Sequence, residues 1–275
     1  MRAYTFFLIF ALLIGLLAPL AHAGEPEATR TMAYTPCTAE EAMAWQKDLR
    51  ARLFELLHMR DLVETRSAIP LDARVLNSEE GDGLRLDTIE LRATPGRLIQ
   101  ATFAVPGDHR EGPMPAVLAI HGHGGNRMTP FDPEQNIYKL FGTELAKRGF
   151  VVISTDVGQH EVYEEGRTLM GERLWDLMRC VHYLRSRDDV DPGRIGCAGL
   201  SLGGEMAMWL AAMDPRIAAT VSAGFLTYMD QMEQNHCMCW KFDGLRKRVD
   251  FPDIYAMIAP RPLQCQNGEQ EPPTQ

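Results

Sequence analysis

Positive charge is in short supply: 28 lysines and arginines face 37 aspartates and glutamates, for a formal net charge of −9. A surface of that sign repels phosphate backbones and anionic headgroups, which argues against nucleic acid and acidic membranes as partners. Long apolar runs are also scarce. The longest, Phe6 to Leu17, falls short of the roughly 20 residues that cross a bilayer. Arg2 precedes it and the small-residue ending Ala21-His22-Ala23 follows, so residues 1–23 are expected to be a secretory signal peptide, leaving no stable membrane anchor and a secreted or periplasmic chain. Internal repeats and low-complexity tracts are missing as well. The remaining 250 or so residues, at a net charge of about −10, suffice for one large core with a short appendage.

Six cysteines are few for a disulfide scaffold. Cys180, Cys197 and Cys265 lie in apolar segments and are expected to be buried free thiols. Cys37, Cys237 and Cys239 lie in polar, irregular stretches and are expected to supply one bridge, from Cys37 to one of the other two. "HCMC" at 236–239 carries zinc donors, but no second ligand pair stands at a metal-site spacing, so neither a metal nor an organic cofactor is expected.

What is present is a regular α/β rhythm. Thr38 and Glu41 stand at capping-box spacing ahead of Trp45, Leu49, Leu53, Leu56 and Leu57, which predicts an amphipathic helix within an N-terminal arm over 24–79. A turn-rich stretch follows, then "LRLDTIELRA" and "RLIQATFAVP" around "TPG", an expected antiparallel hairpin. From there, short apolar runs at 115–120, 150–156, 194–200, 217–224 and 261–267 alternate with helical patterns at 134–149, 167–187 and 201–213. Continuous apolar strands between helices predict a mostly parallel sheet with helices on both faces, its ligand site at the carboxyl ends of the strands. Phe225 to Ala259 breaks the rhythm and is expected to fold over those ends, with Met238, Trp240 and Phe242 shaping a substrate pocket.

Two motifs fall at strand ends. Gly199-Leu200-Ser201-Leu202-Gly203 joins an expected strand to an expected helix, the context in which G-x-S-x-G presents an exposed nucleophilic serine. "HGHGG" at 121–125 is a glycine-rich loop suited to turning backbone amides inward, and the amides of His123 and Leu202 are the expected oxyanion donors. Histidine is scarce where such a serine needs a base, since only His236 follows Ser201.

With "DVGQHE" at 156–161 and "DIYAMIAPRPLQCQNGEQE" near the end, these motifs resemble the α/β-hydrolase superfamily, specifically its secreted acetyl xylan esterase and dienelactone hydrolase-like branch, over roughly residues 80–275. The resemblance implies an α/β-hydrolase fold and a triad acid at Glu271, with Glu269 as the alternative. It also implies a histidine one helix and one strand later, so the sequence is expected to be a shortened form lacking the last strand and helices. The implied activity is hydrolysis of carboxylic esters through Ser201, on a small-molecule or carbohydrate substrate such as an acetyl ester. A non-catalytic binding protein on the same scaffold and a serine peptidase are the alternatives. Dienelactone hydrolases place cysteine at the elbow, where this chain has Ser201.

Overall fold

Helix α1 (Ala39–Leu56) begins with a reciprocal cap: the Thr38 hydroxyl accepts from Glu41 N at 3.1 Å, and the Glu41 carboxylate accepts from Thr38 N at 3.2 Å. Two orphan backbone donors are thereby satisfied. The computed structural model describes residues 30–107 and 112–268; the expected signal peptide lies outside them. Leu49, Leu53 and Leu57 are fully buried in the main core. In the described residues the arm is therefore built into that core. A short helix, α2 (Arg60–Thr65), leads from it to the sheet.

Strands β1 (Arg74–Gly81), β2 (Leu84–Thr94) and β3 (Arg97–Pro106) form an antiparallel meander. The parallel part comprises β4 (Met114–Ile120), β5 (Val151–Thr155), β6 (Val190–Leu200), β7 (Ala219–Ala223) and β8 (Leu263–Gln266). The order across the sheet is β1-β2-β3-β5-β4-β6-β7-β8. Crossover helices are α3 (Phe141–Lys147), α4 (Leu169–Arg185) and α5 (Leu202–Met213). The expected excursion contains α6 (Met229–Asn235) and α7 (Phe251–Ala256). All five residues of β5 are buried, as a strand covered on both faces requires.

Three features differ from expectation. β1 lies in the stretch read as turns; all eight of its residues are exposed, so it has no apolar alternation to read and is defined only by pairing with β2. The helix expected over 134–149 is broken at Lys139 and Leu140, whose φ values of 50° and 53° are left-handed, leaving only α3 as α-helix. Cys265 is exposed, because β8 is the far edge of the sheet and none of its four residues is covered. Among the described residues no strand pairs with the outer edge of β8.

Helix α4 is buried almost all round and carries charge inward. Arg97 makes a two-armed ion pair with Asp176 at 2.7 and 2.8 Å and also reaches Glu164 at 3.0 Å. Arg179 donates to the carbonyls of Ile69, Pro70 and Arg92. These buried charges are all hydrogen-bonded, which is the condition for tolerating them. Their effect is to fix the arm and the carboxyl-end loops against the sheet.

Candidate active site

At the end of β6 the chain turns sharply into α5. Ser201 sits at that turn with φ 59° and ψ −120°, a conformation non-glycine residues seldom adopt. Surrounding contacts hold it there: Ser201 N donates to Ala223 O at 2.8 Å, and Glu205 N donates to Ser201 O at 3.0 Å. A Cβ on Gly199 would strike the backbone of Gly203, and one on Gly203 would strike the carbonyl of Ile120. Glycine is required at both positions because the backbones of β4, β6 and α5 meet without space between them. Leu202 is the first residue of α5, where a backbone N–H has no intrahelical acceptor.

The 121–125 loop presses on this elbow. A Cβ built on Gly122 would lie 2.8 Å from Leu200 O and 3.4 Å from Ser201 Cβ, and Gly122 N donates to the Tyr138 hydroxyl at 2.7 Å. Tyr138 is a residue that the sequence pattern did not reveal; it arrives from the broken helix ahead of α3. His121 is fully buried, and its Nε2 accepts from Val157 N at 3.0 Å while Nδ1 faces Gly122 O at 2.8 Å. Those two partners specify a neutral ring protonated at Nδ1. Burial lowers its pKa, in keeping with that state.

His123, next in the loop, points into a second cluster. Its Nε2 lies 3.2 Å from Cys239 Sγ, and His160 Nε2 lies 3.3 Å from Cys237 Sγ. One ligand atom from each of these four residues falls within 4.8 Å of every other. The second donor pair missing from the local sequence around "HCMC" is thus supplied by two distant loops. Burial, with the His236 ring and Arg173 nearby, depresses the His123 pKa to about 4. Burial raises the Cys239 thiol to about 11, against the pull of Arg173. Glu205, on the first turn of α5, is also fully buried and pushed up to about 8, with Arg173 again opposing.

The remaining expected residues are spread more widely. Trp240 is a correction: it is fully buried, edge-on to Phe251 with ring centroids 5.3 Å apart, so it is a core side chain and lines no accessible pocket. Phe242 packs against Trp209 at 5.8 Å, and Met238 is exposed. The expected disulfide is absent, since all six cysteines are free and Cys237 and Cys239 face histidines instead. His236 has its ring 5.8 Å from that of His123, and its Nδ1 lies near Cys237 O. Among the described residues no histidine hydrogen-bonds the Ser201 hydroxyl. Glu269 and Glu271 lie outside the described residues.

Beside the loop that holds His121 opens a groove of about 750 Å³, lined by Arg97, Gln100, Arg127, Asp156, Tyr163 and Glu164 among others. It is polar, and Ser201 is not part of its wall. Arg127 is fixed there by Asp156 at 3.2 Å and Gln100 at 2.8 Å.

The model of the dienelactone hydrolase family matches residues 99–236. The protein named "Putative hydrolase YtaP" from Bacillus subtilis (strain 168) is 30% identical over 236 residues, covering 78% of this chain and 77% of its own. Among solved structures, a protein described as a "putative acetyl xylan esterase" from Bacteroides fragilis NCTC 9343 superposes with a TM-score of 0.75 at 22% identity, covering 86% of this chain and 71% of its own. The acetyl xylan esterase from Paenibacillus sp. R4 superposes with a TM-score of 0.56 at 16% identity, covering 90% of both chains. At those identities the two structures bear on the fold alone.

Proposed function

We propose, for a chain that belongs to the dienelactone hydrolase family, the hydrolysis of carboxylic esters through an acyl-enzyme on Ser201. The observation that carries this reading is the backbone of Ser201, held at φ 59° by contacts that leave no room for side chains at Gly199 and Gly203. Backbone strain of this kind costs about 1–3 kcal/mol and persists where its surroundings enforce it. At the mouth of a strand and the start of a helix, it lifts a hydroxyl out of the sheet toward a bound carbonyl.

In the proposed reaction the Ser201 oxygen attacks the ester carbonyl and gives up its proton to a base. The amides of Leu202 and His123 hold the resulting oxyanion, and collapse of the intermediate expels the alcohol as the base passes that proton to the leaving oxygen. Water then attacks the acyl-enzyme and releases the acid, restoring the serine. In this proposal Glu271, with Glu269 as the alternative, is the triad acid, and His236 is a loop residue and not the base. An acylated carbohydrate as substrate belongs to the same proposal, and the fold shared with proteins described as acetyl xylan esterases supports it. A secreted setting belongs to the same proposal.

The test is Ser201→Ala in the full-length protein, assayed on p-nitrophenyl acetate and on acetylated xylan oligosaccharides. The expected result is a loss of at least about 10³-fold in kcat/KM with an unchanged circular dichroism spectrum. Retention of more than about a tenth of the activity overturns the assignment.

A further inference from the structure

Four soft or borderline donors converge at the carboxyl edge of the sheet from three separate segments: His123 from the loop after β4, His160 from the loop after β5, and Cys237 and Cys239 from the excursion after α6. A tetrahedral zinc site with Zn–N near 2.0–2.1 Å and Zn–S near 2.3 Å has donor-to-donor edges of about 3.3–3.8 Å. The two recorded nitrogen–sulfur separations, 3.2 and 3.3 Å, already stand near that length. The longest separation within the set, at most 4.8 Å, needs to close by only about 1 Å. From this geometry we propose that His123, His160, Cys237 and Cys239 form a structural zinc site, binding one Zn²⁺ per chain.

The donor set selects the ion. Two thiolates and two imidazoles are the ligands of closed, four-coordinate zinc sites, whereas Mg²⁺ and Ca²⁺ require oxygen. Charge balances as well: Zn²⁺ displaces the two thiol protons to solvent, and the cation with two thiolates and two neutral imidazoles has no net charge, which suits a half-buried position. With all four positions filled by protein, the ion has no open site for water or substrate, so its role is to staple loops. It would tie the His123 loop, which lies against the serine elbow, to the excursion and to the 156–161 segment. The proposal stands on donor geometry and does not depend on the ester-hydrolase reading.

The experiment uses the full chain, reduced and stripped of metal, titrated with Zn²⁺ and separately with Co²⁺ as a spectroscopic substitute. The expected result is one ion per chain, release of two protons, loss of two reactive thiols, and a cobalt spectrum with thiolate charge-transfer and strong tetrahedral visible bands. Cys237→Ser and His160→Ala should each weaken zinc binding by at least about 100-fold, beyond the roughly 10–100-fold effect of losing an outer-shell partner. Cys37→Ser should leave it unchanged, and so should Ser201→Ala, which separates this proposal from the fate of the nucleophile. Binding undiminished in both Cys237→Ser and His160→Ala, a weak octahedral cobalt spectrum, or a reduced chain that binds no zinc and reoxidises to a Cys237–Cys239 disulfide would each overturn the site.

Discussion

The serine elbow and the histidine–cysteine cluster lie at the same edge of the sheet, yet they are built in opposite ways. The elbow occupies consecutive residues, 199 to 204, and its geometry is imposed by backbone packed against backbone: Gly199 on Gly203, Gly203 on Ile120, Gly204 on Ala223. The cluster draws on residues up to 116 positions apart and is held by side chains from three separate segments. A site of the first kind tolerates almost no substitution, because no rotamer change relieves a clash with a main chain. One of the second kind can lose a member while the fold persists, because a single side-chain contact can be lost without displacing a main chain.

Gly203→Val offers the severest test of that contrast. Its side chain would meet the carbonyls of Ile120 and His121, neither of which can move without displacing β4. We expect a destabilisation above about 4 kcal/mol, seen as a chain that is largely unfolded or insoluble at 25 °C. Cys237→Ser, by contrast, should shift the melting temperature of the metal-free chain by no more than about 2–4 °C. A Gly203→Val chain with native near-ultraviolet circular dichroism would break the comparison.

A smaller effect tests whether the scaffold away from both sites is itself sensitive to pH. His182, near the end of α4, is mostly buried beside Arg179 and Arg216, and its pKa is depressed to about 3, mainly by burial. In the unfolded chain the ring titrates near 6.5. The folded state therefore refuses a proton that the unfolded state accepts, so this contribution is complete above pH 6.5 and is lost as pH falls from 6.5 toward 3. The slope is at most about 1.4 kcal/mol per pH unit. His182→Gln should reduce the slope of the urea-denaturation stability profile between pH 6.5 and 4.5, leaving the like-signed contributions of His121 and His123; an unchanged slope would remove His182 as a contributor.

How far the sequence could be read follows the same division. The hairpin, the parallel strands and the elbow were legible because periodicity and glycine spacing are local signals. Leu49 and Leu53 announced a buried face of α1, and the structure buries both. β1 is not legible because a wholly exposed strand carries no alternation, and neither is the break at Lys139 and Leu140, because nothing in their side chains signals a left-handed backbone. The place of Trp240 in the excursion suggests a pocket residue, whereas packing against Phe251 takes it into the core. "HCMC" displayed half of a donor set; its partners His123 and His160 became visible only when the fold brought three loops together.

The central claim, that Ser201 is an activated nucleophile, is tested most directly by covalent trapping. The full-length protein is treated with a fluorophosphonate, digested, and its peptides mapped by mass spectrometry. The account predicts a stoichiometric phosphonyl adduct on Ser201, with hydrolysis of p-nitrophenyl acetate lost in step with labelling and no adduct in Ser201→Ala. An unlabelled Ser201 in a protein that still cleaves the ester, or an adduct on another residue that tracks the loss of activity, would contradict it.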